Sequence, residues 1–337
     1  MTNRRAICLA GALVAVLLGS AVLAVAQGTS KAYSPPRTPW GDPDLQGKWP
    51  GTDLVGVPLQ RDTKYGTRNR LTEEEFLARE AQFAKQDETD NADFDPERPV
   101  GNPGDVGSPT SPPPHWLERG RPQYIASLIV DPPDGRIPPN TPEAQQRNAA
   151  AAAARRGRGP ADSYTDRSLY DRCITRGVAG SMLPVIYNNG NEIVQGPGYV
   201  VLRNEMIHEA RVVPLDGRPH PGPDVKLWMG DSRGHWEGDT LVVETTNFDP
   251  RTSGIGANGG GRISEDLKIT ERITRVAPDQ LIWRMTFDDS KTWTRPFTLE
   301  LPLRRDDSYG MFEYACHEGN YALRNILSAA RAEERAR

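Results

Sequence analysis

Beyond its first 26 residues the chain has no apolar run of membrane-spanning length, so a mature chain embedded in a bilayer is not expected. Basic charge is not in excess either. Lys and Arg number 41 against 45 Asp and Glu, with no basic stripe, which makes nucleic acid or an anionic membrane surface a poor partner. The five histidines, His115, His208, His220, His235 and His317, include no His-x-His or His-x-x-x-His pair, and no metal is predicted. A Gly-x-Ser-x-Gly elbow, a Ser-x-x-Lys pair and a dinucleotide fingerprint are all missing. The stretch from Ser253 to Gly261 is rich in glycine but lacks the lysine and following helix of a phosphate-binding loop, and reads as a mobile lid or exposed loop. No cofactor is expected, so cofactor-free acid–base chemistry is the simplest catalytic version.

What the chain does have begins at its first residues. Arg4 and Arg5 precede an uncharged run from Ala6 to Ala26 that ends Ala24-Val25-Ala26, the three parts of a cleavable secretory signal. An N-terminal membrane anchor is the alternative reading. Cleavage after Ala26 would remove two basic residues and no acidic one, leaving a net charge of −6 with neutral histidines. The expected location is periplasmic or secreted. Of three cysteines, Cys173 and Cys316 would survive cleavage, and in an oxidising compartment they read as one disulfide. That bridge is worth about 2–5 kcal/mol. The rival is a nucleophilic Cys316 beside His317.

The chain divides, on composition, into the signal (1–26), a segment of extended lead-in, short helix and Pro/Gly-rich wrap (27–120), and a main β-rich domain with a C-terminal helix (121–337) that forms one globular unit with 40–120. Asp44 to Trp49 resembles an opening strand. Thr72 and Glu75 form a capping box for a helix from about Glu73 to Lys85. Residues 140–160 read either as a surface alanine helix or as a flexible basic loop. From Met182 onward short strands follow one another: Tyr199–Arg203, Met206–Val213, Thr240–Phe248, Leu267–Val276, Leu281–Phe287 and Thr294–Leu303. Ala277-Pro278-Asp279-Gln280 predicts a tight antiparallel hairpin. The fold class is mainly β: an antiparallel meander forming a curved sheet or barrel-like, calycin- or lipocalin-like domain, with a few peripheral helices and long irregular loops. Alternation places Leu281, Trp283, Met285 and Phe287 on one face, and Trp293, Arg295, Phe297, Leu299 and Leu301 on another, with Arg295 at a barrel mouth or paired with an acid.

Three clusters carry candidate chemistry. As a strand, Glu205 to Arg211 would set Glu205, Ile207, Glu209 and Arg211 on one face. His208 would share the other with Met206, Ala210 and Val212, either as a core histidine or as a general base in a dry pocket. Gly230 to Asp239 reads as a charged loop at a sheet edge, where binding groups gather. Tyr314 to Tyr321 would be fixed near Cys173 by the disulfide, carrying His317 and Glu318 as a possible pair, with a helix from Asn320 to Ala336.

The stretches Asp171-Arg172-Cys173-Ile174, Tyr187-Asn188-Asn189, Glu205 to Arg211, Pro214 to His220, Gly230 to Val243 and Tyr314 to Tyr321 resemble a large, uncharacterised family of exported bacterial proteins. The resemblance covers most of the mature chain. It implies export and a β-rich fold, and supplies no reaction and no catalytic residue.

The resulting expectation is an exported protein acting on a small organic molecule in a polar-lined pocket, as a lyase, isomerase or hydrolase. Catalytic candidates are His208, Glu209, Asp231, His317 and Glu318. Arg211, Arg233, Trp236, Arg295 and Asn320 are candidates for holding the substrate. The rivals are a non-catalytic small-ligand carrier and an envelope interaction module.

Overall fold

Alternating burial builds the sheets. In the strand Gln280–Asp288, Leu281, Trp283, Met285 and Phe287 are buried, whereas Gln280, Arg284 and Asp288 face solvent, as the period of two predicts. The computed structural model describes residues 33–90, 117–252, 255 and 262–336. All elements below lie in the unit Ser34–Arg337. The candidate signal, the Pro-rich centre of the wrap and most of the glycine-rich stretch fall outside the described residues.

Two antiparallel sheets make up the protein, which is mainly β. The strands are β1 (Gly47–Lys48), β2 (Ile129–Asp131), β3 (Asn191–Gly196), β4 (Tyr199–Asn204), β5 (Ala210–Pro214), β6 (Asp231–Glu237), β7 (Thr240–Thr246), β8 (Lys268–Ala277), β9 (Gln280–Asp288) and β10 (Phe297–Arg304). One sheet runs β1-β3-β4-β5 and the other β2-β10-β9-β8-β7-β6, and among the described residues no closed barrel forms. Ala277 pairs with Gln280, so Pro278 and Asp279 form the expected two-residue turn. The inner faces share one core. Ile193, Val200, Leu202 and Val213 from the first sheet join Leu241, Val243, Trp283, Phe287, Phe297 and Leu301 from the second. The sheet edges meet where β5 lies beside β6. Gly234 is required there, because a Cβ would stand 2.8 Å from side-chain atoms of both Val213 and Leu215. At the other end, the Asp306 amide bonds the Lys48 carbonyl at 3.0 Å.

Among the described residues there are four helices: α1 (Glu73–Asp90), α2 (Pro142–Ala154), the single turn α3 (Gly177–Gly180) and α4 (Ala322–Ala336). The capping box on α1 is formed, with Thr72 N bonded to Glu75 Oε2 at 2.7 Å and Glu75 N to Thr72 Oγ1 at 3.3 Å. Residues 142–154 are helical, begun by Thr141, whose hydroxyl accepts from Ala144 N, and by Pro142 at the first position. Among the described residues no helix is long and apolar enough to cross a membrane.

Three local expectations are corrected. The strand expected over Met206–Val213 is broken: Met206–His208 is a tight 3-10 turn, and β5 starts only at Ala210. Inward positions of β5 are Arg211 and Val213, whereas His208 is exposed rather than set among apolar neighbours. The charged stretch Gly230–Asp239 is strand β6 and its turn, not a loop. Its inward residues, Ser232 and Gly234, are too small to leave a hydrophobic signal. The strand expected from Thr294 begins at Phe297, and Arg295 stands exposed beside Asp131 at 3.2 Å, off the apolar face. Strand β3, which had not been foreseen, has polar inward residues for a reason: Gln195 accepts from Leu45 N at 2.7 Å and donates to Pro43 O at 3.0 Å, which holds the lead-in against the sheet.

Candidate functional site

The connection between β4 and β5 holds two successive left-handed residues between buried anchors. Met206 and Ile207 are both buried, 1% and 3% exposed, and putting two successive side chains inward bends the backbone into the left-handed region. Ile207 has φ 54° and ψ 27°, and His208 φ 44°. Such a conformation costs a non-glycine residue about 1–3 kcal/mol and is worst for a β-branched one. Anchors on either side hold it. Buried Glu205 accepts hydrogen bonds from Gly190 N (3.1 Å), Phe312 N (2.9 Å), Asn188 Nδ2 (3.1 Å) and the Tyr309 hydroxyl (2.7 Å). Glu118 accepts from the amides of Asn188 and Asn189 at 2.7 and 3.1 Å, and lies 2.9 Å from the same phenol. Burial, reinforced by these two carboxylates, holds the Tyr309 phenol far above its usual range.

His208 projects from this turn. Its Nδ1 lies 2.8 Å from the Tyr314 carbonyl oxygen. A carbonyl only accepts, so Nδ1 carries the hydrogen, and in the neutral ring Nε2 keeps an open lone pair. The next residue, Glu209, is half-buried, and burial raises its pKa against the opposing effects of the Thr175 hydroxyl and the charges of His208 and Arg211.

The disulfide joins Cys173 to Cys316, with their Cα atoms 5.7 Å apart. It brings Tyr314 to Tyr170, whose hydroxyls are 2.8 Å apart; Tyr187 completes the row, 3.1 Å from Tyr170. Burial raises all three phenols, Tyr187 to about 12. The Arg176 guanidinium lies over the Tyr170 ring at 4.8 Å and acts electrostatically on all three. The site is therefore assembled from the β4–β5 turn, the segment around 170–176 and the segment around Tyr314.

Of the residues singled out in the sequence, His208, Glu209, Cys173, Cys316 and Asn320 come together here. Asn320 Nδ2 bonds the Cys316 carbonyl at 2.9 Å, and its Oδ1 caps α4 at Ala322 N. His317 and Glu318 stand exposed in the following turn, and no hydrogen bond among the described residues joins them. Arg211 points into the core, paired with Glu271 at 2.5 and 2.9 Å, and Glu271 also accepts from Trp283 Nε1 at 3.0 Å. Asp231 and Arg233 form a separate cluster on β6 with His220, whose Nδ1 is 2.7 Å from Asp231 Oδ1, while Arg233 Nη2 is 3.0 Å from Oδ2. Trp236 is half-buried on the same strand, and its Nε1 has no hydrogen-bond partner among the described residues.

Sequence reading gave no role to Tyr170, Arg176, Tyr187, Tyr309, Glu118 or His220. Only the inferred disulfide pointed at part of this set, since it implied that Tyr170 and Tyr314 lie near each other. A cleft of 620 Å³ opens elsewhere, between α1 and the segment 55–65, with Val55, Pro58, Leu71 and Phe83 in its lining and Arg119 and Ile186 at its wall. Its volume suits a small ligand, but it contains neither His208 nor Glu209, and the chemistry of the β4–β5 turn is the stronger guide to a reacting centre. Among the described residues no three His, Cys, Asp or Glu side chains gather as they would around a metal ion. In comparison with known proteins, no family model, no curated protein and no solved structure matches the chain.

Proposed function

We propose that the protein is an exported, cofactor-independent acid–base enzyme acting on a small organic molecule, with His208 as general base and Glu209 as general acid. The observation that carries this reading is the fixed tautomer of His208: a backbone carbonyl holds Nδ1–H, and the exposed ring offers Nε2 as the acceptor of a proton. Glu209, its carboxyl raised by burial, stays protonated closer to neutrality and is suited to deliver its own proton to the substrate, after which His208 loses and Glu209 regains a proton through solvent. A left-handed backbone retained at Ile207 and His208, immediately before Glu209, fits a site where geometry is kept at a cost in stability. Proton abstraction followed by protonation elsewhere on the substrate serves an isomerase or a lyase, and the same base activates water for a hydrolase.

The two sheets, meeting where β5 lies beside β6, take the part of a calycin-like scaffold in this reading, and the membership of an exported bacterial family belongs to the same proposal. The disulfide supports a periplasmic or secreted location, since such bonds persist in oxidising compartments. The 620 Å³ cleft favours the carrier as the second reading.

The test is deuterium incorporation from D₂O into a panel of small carbonyl and hydroxy acids, followed by mass spectrometry, with native protein and His208→Gln. Incorporation by the native protein that falls about a hundredfold or more in the variant is expected. Equal incorporation by both removes His208 from the chemistry. Stoichiometric retention of an unchanged panel member, with no incorporation, would establish the carrier.

A further inference from the structure

We propose that Arg176 and the row Tyr187–Tyr170–Tyr314 form an anion site that binds the carboxylate of a small organic acid. That this acid is the substrate handled by His208 rests on the function proposed above; the site itself does not.

Three phenols carry three hydrogens, and the two contacts between them, at 3.1 and 2.8 Å, use two. The third hydrogen is shared between Tyr314 and Tyr187, which also act on each other, and is free to turn to an incoming acceptor. Arg176 adds five N–H groups. Among the described residues it donates no hydrogen bond and faces no carboxylate, and its Nε is buried with no partner. Arg147, Arg167, Arg211 and Arg275 also have an unpartnered buried Nε, but each reaches an acceptor through another guanidinium nitrogen, as Arg211 does with Glu271, whereas half-buried Arg176 reaches none among the described residues. The cluster around Arg176 thus has surplus donors and a positive charge, and lacks an acceptor.

A buried donor without an acceptor is costly, and the Nε of half-buried Arg176 is such a donor, so an acceptor belongs there. Its sign follows from the guanidinium, and its shape from the planar fork, which matches a carboxylate with two parallel N–H bonds. Because burial raises the three phenols, they keep their hydrogens at neutral pH and serve as donors. The placement is also apt for a substrate. Thr175, adjacent to Arg176, acts through its hydroxyl on the Glu209 carboxyl, and Tyr314 contributes its hydroxyl to the row and its carbonyl to His208. A carboxylate held by Arg176 would be tied through these two residues to both groups of the proposed acid–base pair.

The experiment uses the full chain labelled at tyrosine Cζ with carbon-13, titrated with benzoate, inorganic phosphate and benzylammonium and followed by NMR. Benzoate is expected to shift tyrosine resonances saturably in the native protein and in Arg284→Gln, an exposed arginine of β9. Arg176→Gln should weaken benzoate at least tenfold, and benzylammonium should leave the resonances in place. Should Arg176→Gln fail to fold, the double variant Tyr187→Phe/Tyr314→Phe, read on the Tyr170 resonance, takes its place with a loss of the same direction. Benzoate binding unchanged by these substitutions, or absent from the native protein, overturns the site. Phosphate binding tighter than benzoate overturns the carboxylate assignment. His208→Gln separates the two proposals: it should bind benzoate as the native protein does. If it does so and deuterium incorporation also survives, the acid–base reading falls while the anion site stands.

Discussion

Burial lifts the Glu209 carboxyl above its usual range, and the sign of the resulting pH dependence follows. The folded state holds the proton to higher pH than the unfolded chain does. The associated stability is therefore full below the unfolded-state pKa and is lost as pH rises through the folded-state value. Glu209→Gln keeps the shape and removes the titration. In urea unfolding, the variant should gain on the native protein as pH rises from about 4 to about 7. A difference flat across that range would mean that Glu209 titrates as a free carboxyl. This residue is visible in the sequence as a candidate, but its acid strength is not, because the opposing influences come from Thr175, 34 positions away in sequence, and from a tight turn whose residues carry a strand-like pattern.

Elements were legible where their inward side chains are large and apolar. The row Leu281, Trp283, Met285 and Phe287 exposed β9 to reading, and the Pro278–Asp279 turn gave its partner. Elements stayed hidden where inward positions do something else. Asn191 and Gln195 of β3 bind backbone, and Ser232 and Gly234 of β6 make room for β5. Arg211 and Glu271 go further, since their ion pair ties β5 of the smaller sheet to β8 of the larger one through the core. Both side chains are almost fully buried, 4% and 0% exposed, so removing one leaves the other's charge unmatched. Arg211→Met should cost about 3–5 kcal/mol of unfolding free energy, read from the shift in denaturant midpoint. Arg211→Met combined with Glu271→Leu should recover much of the loss. A single variant as stable as the native protein would show that the pair does not join the sheets energetically.

At the scale of the molecule, two sheets with one shared core carry the fold, and the candidate site sits on segments that the core alone does not fix. Its parts come from residues 118, 170–176, 187–190, 205–209 and 309–316, a spread that no local pattern could have connected. Cysteine pairing was the one long-range constraint readable in advance, and it placed the right two segments together. Replacing Cys173 and Cys316 by serine should lower stability by about 2–5 kcal/mol in denaturant unfolding and broaden the Tyr170 and Tyr314 resonances, whereas an unchanged midpoint would leave the bridge with no role in holding the fold. The bond also alters the topology of the chain as an object. It spans 143 positions, and β3 through β10 all lie between its two ends. A protease that cuts any turn within that span opens a ring and releases nothing, so both products travel as one molecule until a reductant separates them.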